Sequence, residues 1–166
     1  MLVVRKTLNK SYLKLKPNRS AIDNFKKNLI KLLDDMKRAD AESEEFHKNL
    51  LSDFLKNSYY APEHFINTKG RNDLVIHNGK DSNSPVGVII EAKKPSNKYE
   101  MITKENINSK ALQELVLYYL RERITGKNLE IKSLIATNTI DWFVFDANLF
   151  EKSFANNKEL IKQFTD

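Results

Sequence analysis

Asp73, Glu91 and Lys93 are the residues of this 166-residue chain whose types and spacing best suit chemistry. Glu91 and Lys93 are two positions apart, and side chains alternate faces along a strand, so both point to one side. Asp73 opens the apolar run Asp73-Leu-Val-Ile-His77, and Val86-Gly-Val-Ile-Ile-Glu-Ala-Lys93 is a second such run. Between them, Gly79-Lys-Asp-Ser-Asn-Ser-Pro85 is turn chemistry throughout, so an antiparallel hairpin is expected. With its turn centred near Ser82, Asp73 falls opposite Glu91, and directly opposed residues share a face. Two carboxylates and an amine then converge at the open end of the hairpin.

That convergence needs compensation. Glu91 follows Val88-Ile89-Ile90, residues that belong in a core, and neighbouring carboxylates repel. A divalent cation is the usual remedy, and hard oxygen ligands suit Mg²⁺, with Mn²⁺ as a substitute. Lys93 would orient or deprotonate a metal-bound water. A Lewis-acidic metal, an activated water and a nearby cation make a complete centre for phosphodiester hydrolysis. The bland alternative is that Asp73 merely starts a strand and Glu91–Lys93 is an exposed surface pair.

The surrounding pattern supplies elements to hold the hairpin. Ser20 and Asp23 resemble a capping box that opens a helix, with Ile22, Phe25, Leu29, Leu32, Leu33 and Met36 on its inner face. A second helix is expected over residues 41–56, burying Phe46, Leu50, Leu51, Phe54 and Leu55. Phe65-Ile66-Asn67 reads as a short strand, and residues 97–108 as a polar, mobile loop. A well-buried helix follows from Ser109 to Thr125, stopped by Gly126. Ile131–Thr137 and Trp142–Phe145 read as strands, and Leu149–Phe164 as helical with a break at Asn156-Asn157. This order implies one α/β layered domain. Its parts are a basic segment (1–19), a helical region (20–57), a catalytic core (62–146) and a C-terminal helical segment (147–166).

Composition narrows the function classes. No cysteine is present, which removes disulfides, thiolate zinc sites and cysteine nucleophiles. No run approaches the ~18 apolar residues of a membrane span, and the N-terminus lacks a signal-peptide core, so a cytoplasmic protein is expected. The net charge is +6, and from Met1 to Lys31 nine basic residues face one acid, Asp23. Such a cluster either holds phosphates by counterion release or is simply a solvated, lysine-rich surface. His47, His64 and His77 show no metal-ligand spacing and read as structural or exposed.

Asn72-Asp73 with Glu91-Ala92-Lys93 resembles the PD-(D/E)XK nuclease motif, with Asn72 in place of the nominal proline. Four stretches are similar to the N-terminal region of type IIG restriction–modification enzymes. They are Thr68-Lys-Gly-Arg-Asn-Asp-Leu-Val-Ile76, Val88-Ile-Ile-Glu-Ala-Lys-Lys-Pro95, Lys110-Ala-Leu-Gln-Glu-Leu-Val-Leu-Tyr-Tyr-Leu-Arg-Glu-Arg123 and Thr137-Asn-Thr-Ile-Asp-Trp-Phe-Val-Phe-Asp146. The resemblance implies a restriction-endonuclease-like core, a mixed central sheet flanked by helices. It implies Asp73 and Glu91 as metal ligands, Lys93 as the water-positioning residue, and double-stranded DNA as substrate.

Some relatives carry Gln-x-x-x-Tyr on the helix after the hairpin, which makes Gln113 a candidate catalytic residue, although Leu117 stands where the tyrosine would be. Gln113 also shares a helix face with Leu117, Leu120 and Ile124, which suggests burial. An acid from the first core helix often completes such sites, and Glu45 or its neighbour Glu44 is the candidate third ligand. Arg121, Arg123, Lys127, Lys94 and Lys98 are candidates for a phosphate track. A fused or associated DNA methyltransferase and specificity domains are implied partners, since the adenine-specific tetrapeptide Asn-Pro-Pro-Tyr is absent here. Cutting both strands implies transient dimerisation on DNA. The alternatives are a repair or recombination nuclease of the same fold, or a catalytically silent nucleic-acid-binding module.

Overall fold

The computed structural model describes residues 14, 16–39, 41–70 and 72–165, with Asn72 and Asp73 described through their backbone alone. Most of the basic segment 1–19 therefore lies outside the described residues. Helix α1 spans Arg19–Arg38 and starts two residues earlier than the Ser20 signature suggests. Asn18 is the actual cap, its Oδ1 accepting the Ala21 N–H at 2.7 Å, as an N-cap side chain should. Helix α2, Glu44–Leu55, is capped by Ser43 rather than starting at Ala41, with Ser43 Oγ accepting from the Phe46 N–H. It ends in a wide turn in which the Ala61 N–H reaches back five residues to the Lys56 carbonyl.

Five strands form one mixed sheet in the order β1-β2-β3-β4-β5, built from Ile66–Lys69, Asn72–His77, Val86–Ala92, Ser133–Thr137 and Trp142–Asp146. Three neighbouring pairs are antiparallel, and β3–β4 is parallel. A parallel pair needs a long crossover. Helix α3, Lys110–Leu120, supplies it and continues through Thr125 in another wide turn, closed by the Gly126 N–H on the Arg121 carbonyl. Two short helices end the description: α4 (Ala147–Phe150), which runs on to Ala155, and α5 (Lys158–Thr165), separated at Asn156-Asn157 as the sequence suggests.

Strand alternation sorts the core into two layers. Val75, Ile89, Leu134 and Ala136 pack with Ala111, Leu115, Tyr119, Leu120 and Phe150. On the other side Leu74, Ile76, Ile90 and Ala92 pack with Leu32, Met36, Leu51, Phe54 and Leu55. The sheet is thus a layer between the α1/α2 pair and the crossover helix, which establishes the mixed α/β class.

Three expectations are corrected. Of the six apolar residues assigned to the inner face of α1, only Leu32 and Met36 are buried; Ile22, Phe25 and Leu33 are exposed. A 20-residue helix is longer than the sheet it crosses, so one segment of its stripe meets the core. In α2, Phe46 is exposed while His47 is buried and contacts Met36 Sδ through Nδ1. The segment after β3 is not a free loop: Met101 and Ile102 are buried in the layer under α3, and Glu100 accepts the Ala111 N–H through its carbonyl. It is a strap pinned at its middle.

Candidate active site

The hairpin forms in the expected register. Leu74 pairs with Ile90, Val75 with Ile89 and Ile76 with Val88, and only at His77–Val86 does a bulge shift the count. Continued by one residue, the ladder sets the Asp73 backbone opposite Glu91; the Asp73 side chain lies outside the described residues.

Glu91 and Lys93 are not a surface pair. Glu91 is 1% and Lys93 5% exposed, and Lys93 Nζ lies 2.6 Å from Glu91 Oε1. Burying an ion costs several kcal/mol unless partners compensate. Lys93 has such partners. Glu114 Oε2, on α3, accepts from Nζ at 2.7 Å, while Glu44 and Glu100 stand farther off at 3.7 and 3.8 Å. The Lys93 backbone is fixed as well, its N–H donating to the Thr137 carbonyl at 2.8 Å. Burial alone would push the ammonium down, but hydrogen bonds to Glu114 and Glu91 outweigh it and hold Lys93 well above the ordinary lysine value.

Among the described residues, carboxylates outnumber cations here. Four lie within 4 Å of Lys93 Nζ, and Lys110 adds a second ammonium, 2.7 Å from Glu100 Oε1. That contact holds the Glu100 carboxyl below its ordinary value and raises Lys110. Burial raises the Glu114 carboxyl, yet hydrogen bonding to Glu91 and to Lys93 brings it below the usual range. Two contacting carboxyls at the end of an apolar strand, in a centre with net negative charge and oxygen donors only, fit a hard divalent cation. No group of three acidic or imidazole side chains among the described residues is gathered to hold a metal ion. Lys93 Nζ stands between the carboxylates instead.

The helix residues differ from the sequence expectation. Gln113 is exposed and donates to Asn108 Oδ1 at 3.2 Å. Its neighbour Glu114, one helical step round, is the residue that faces the centre. Leu117, expected to be buried on the same helix face as Gln113, is itself 36% exposed. Glu45 also points away, paired with Lys48 and 60% exposed, whereas Glu44 approaches Lys93. On α3 the facing residue is the neighbour of the expected one, and on α2 it is the second of the two candidates, because a step of 100° along a helix turns a side chain off a site.

Of the proposed phosphate track, Arg123 is engaged elsewhere. Its Nε and Nη2 grip Glu151 at 2.9 Å each, and Tyr119 Oη donates to the same carboxylate at 2.6 Å. His77 and His64 are structural: His77 Nδ1 and Nε2 contact the Ser84 carbonyl and Asn67 Oδ1, and His64 Nδ1 contacts the His77 carbonyl.

No helix among the described residues is long and apolar enough to cross a membrane. No curated protein matches the chain, and neither does any solved structure. A family model described as a domain of unknown function, DUF7149, matches residues 2–166. The chain belongs to that family.

Proposed function

We propose that this domain is a restriction-endonuclease-like nuclease that hydrolyses DNA phosphodiester bonds with Mg²⁺, for which Mn²⁺ can substitute. The observation that carries this reading is the buried Glu91–Lys93 pair, 2.6 Å apart at the open end of the hairpin, in a register that continues to Asp73. A purely structural strand end gains nothing from a carboxylate and an ammonium that are both withdrawn from water. A centre that must gather a cation, a water and a phosphate does.

The bound cation would polarise the phosphoryl oxygen and lower the pKa of its water. The chain's residues do the rest. Asp73 and Glu91 hold the cation, and Glu114 fixes the Lys93 side chain from the helix side. Lys93 donates hydrogen bonds that orient the attacking water and offset charge growing on the phosphate. Lys94 and Lys98 flank the strand end where the backbone of the substrate would run. The resemblance to type IIG restriction–modification enzymes supports a place beside a DNA methyltransferase and a specificity domain, with dimerisation on DNA when both strands are cut.

Calorimetric titration of Mn²⁺ into the wild type and into Asp73→Ala and Glu91→Ala tests the reading. Binding that both substitutions abolish, with metal-dependent nicking of a supercoiled plasmid, is the expected result. Absence of binding, or binding indifferent to both changes, would remove the catalytic assignment and leave a silent nucleic-acid-binding module.

A further inference from the structure

The strap between β3 and α3 carries more chemistry than the nuclease motif assigns to it. Its backbone is anchored by buried Met101 and Ile102 and by the Ala111 N–H on the Glu100 carbonyl. The Glu100 carboxylate hangs over the centre from this fixed point. It accepts from Lys110 Nζ at 2.7 Å and from Asn97 Nδ2 at 2.9 Å, and it lies 3.8 Å from Lys93 Nζ.

Lys110 is an odd choice for its position. It is the first residue of α3, and no acidic residue occupies that first turn. The positive end of a helix dipole favours acids and disfavours a lysine. Lys110 is also half-exposed, at 53%, so burial does not explain it. What it does is neutralise Glu100, which thereby has an ammonium partner besides Lys93. Lys93 is already committed at short range to Glu91 and Glu114.

We propose that Glu100 is a further carboxylate of the cation site and that Lys110 is its internal counter-ion, which an incoming divalent cation must displace. The strap backbone stays in place, and only two flexible side chains exchange partners. The Lys110–Glu100 pair thereby sets how much free cation the centre needs. This rests on the nuclease reading above and names a control on that same site.

The test is Mn²⁺ affinity by calorimetry for the wild type, Lys110→Met, Glu100→Gln and the double variant, each first checked for folding by circular dichroism and melting. Exposed ion pairs are weak, so Lys110→Met should bind Mn²⁺ only roughly three- to fivefold more tightly. Glu100→Gln should bind more weakly, and adding Lys110→Met to it should gain much less than it gains in the wild type, because Lys110 bonds Glu100 directly and acts on Glu114 only across a distance. Lys110→Arg, which keeps the charge, should stay near the wild type.

Looser binding by Lys110→Met, or a gain from Lys110→Met that is as large in the double variant as in the wild type, overturns the proposal. Binding that Glu91→Ala abolishes but that ignores Lys110 and Glu100 overturns it and leaves the nuclease reading standing. Failure of the wild type to bind Mn²⁺ overturns both.

Discussion

Glu114 Oε2 lies 2.7 Å from Lys93 Nζ, a contact between the crossover helix and the end of the strand it follows. It makes α3 part of the centre. If the proposed nuclease function holds, a Glu114→Ala change should slow cleavage by about 10- to 100-fold, the usual cost of removing a group that orients a site residue. Gln113→Ala, one residue away but turned to solvent, should leave the rate within about twofold. Single-turnover cleavage of a plasmid distinguishes the two, and equal losses would show that the helix face is misassigned.

The two neighbouring acids at the start of α2 should separate in the same way. Glu44→Ala should weaken Mn²⁺ binding modestly, because its carboxylate is 3.7 Å from Lys93 Nζ and 42% exposed. Glu45→Ala should lose its ion pair with Lys48, whose side chain is only 11% exposed, and so lower stability equally with and without Mn²⁺. Thermal melts with and without Mn²⁺ report both, since saturation at about 100 times Kd raises stability by ~2.7 kcal/mol.

The strap predicts a core-like penalty in a segment that reads as a polar loop. Met101 is 4% exposed, and truncating a buried methionine costs roughly 2–5 kcal/mol. Met101→Ala should therefore lower the urea midpoint clearly, whereas Tyr99→Ala, at a fully exposed position two residues away, should not. A negligible effect of Met101→Ala would mean that the strap is not anchored.

Acid should loosen the junction between α3 and the C-terminal helices. The Glu151 carboxyl is held below its ordinary value of 4.5, first by the Tyr119 hydroxyl and then by Arg123. A depressed folded-state pKa contributes stability that is fully present above the unfolded value and fades as pH falls through the folded one. The melting difference between wild type and Glu151→Gln should thus be constant near neutrality and shrink below about pH 4. A difference that grows on acidification would reverse the assignment.

How much of this was legible in the sequence depends on which period governed each residue. In the hairpin a period of two, a turn of Gly, Asp, Asn, Ser and Pro, and a run of Val and Ile left one workable register, and the observed ladder follows it. Asp73, Glu91 and Lys93 could be aligned on that basis. In the helices, choosing between adjacent residues requires knowing the rotation about the axis, and tertiary packing sets that. Gln113 against Glu114 and Glu45 against Glu44 were therefore undecidable from spacing. The strap did carry a signal: Met101-Ile102 is an apolar pair inside an otherwise polar stretch. Glu100 precedes that pair, and its role could have been read from it.

The single parallel pairing, β3 with β4, also governs when the centre comes into being. Strands β1 to β3 are joined by short connections and can meet early, because closing a short loop costs little entropy. Glu114 and Glu100 belong to the long excursion that must close before β4 docks, and distant pairings of this kind form slowly. The hairpin can thus gather Asp73, Glu91 and Lys93 while the rest of the centre is still unassembled. A nascent or partly opened chain would hold the hairpin residues without Glu114 and Glu100, so on the nuclease reading proposed above competence for chemistry is tied to completion of the whole sheet.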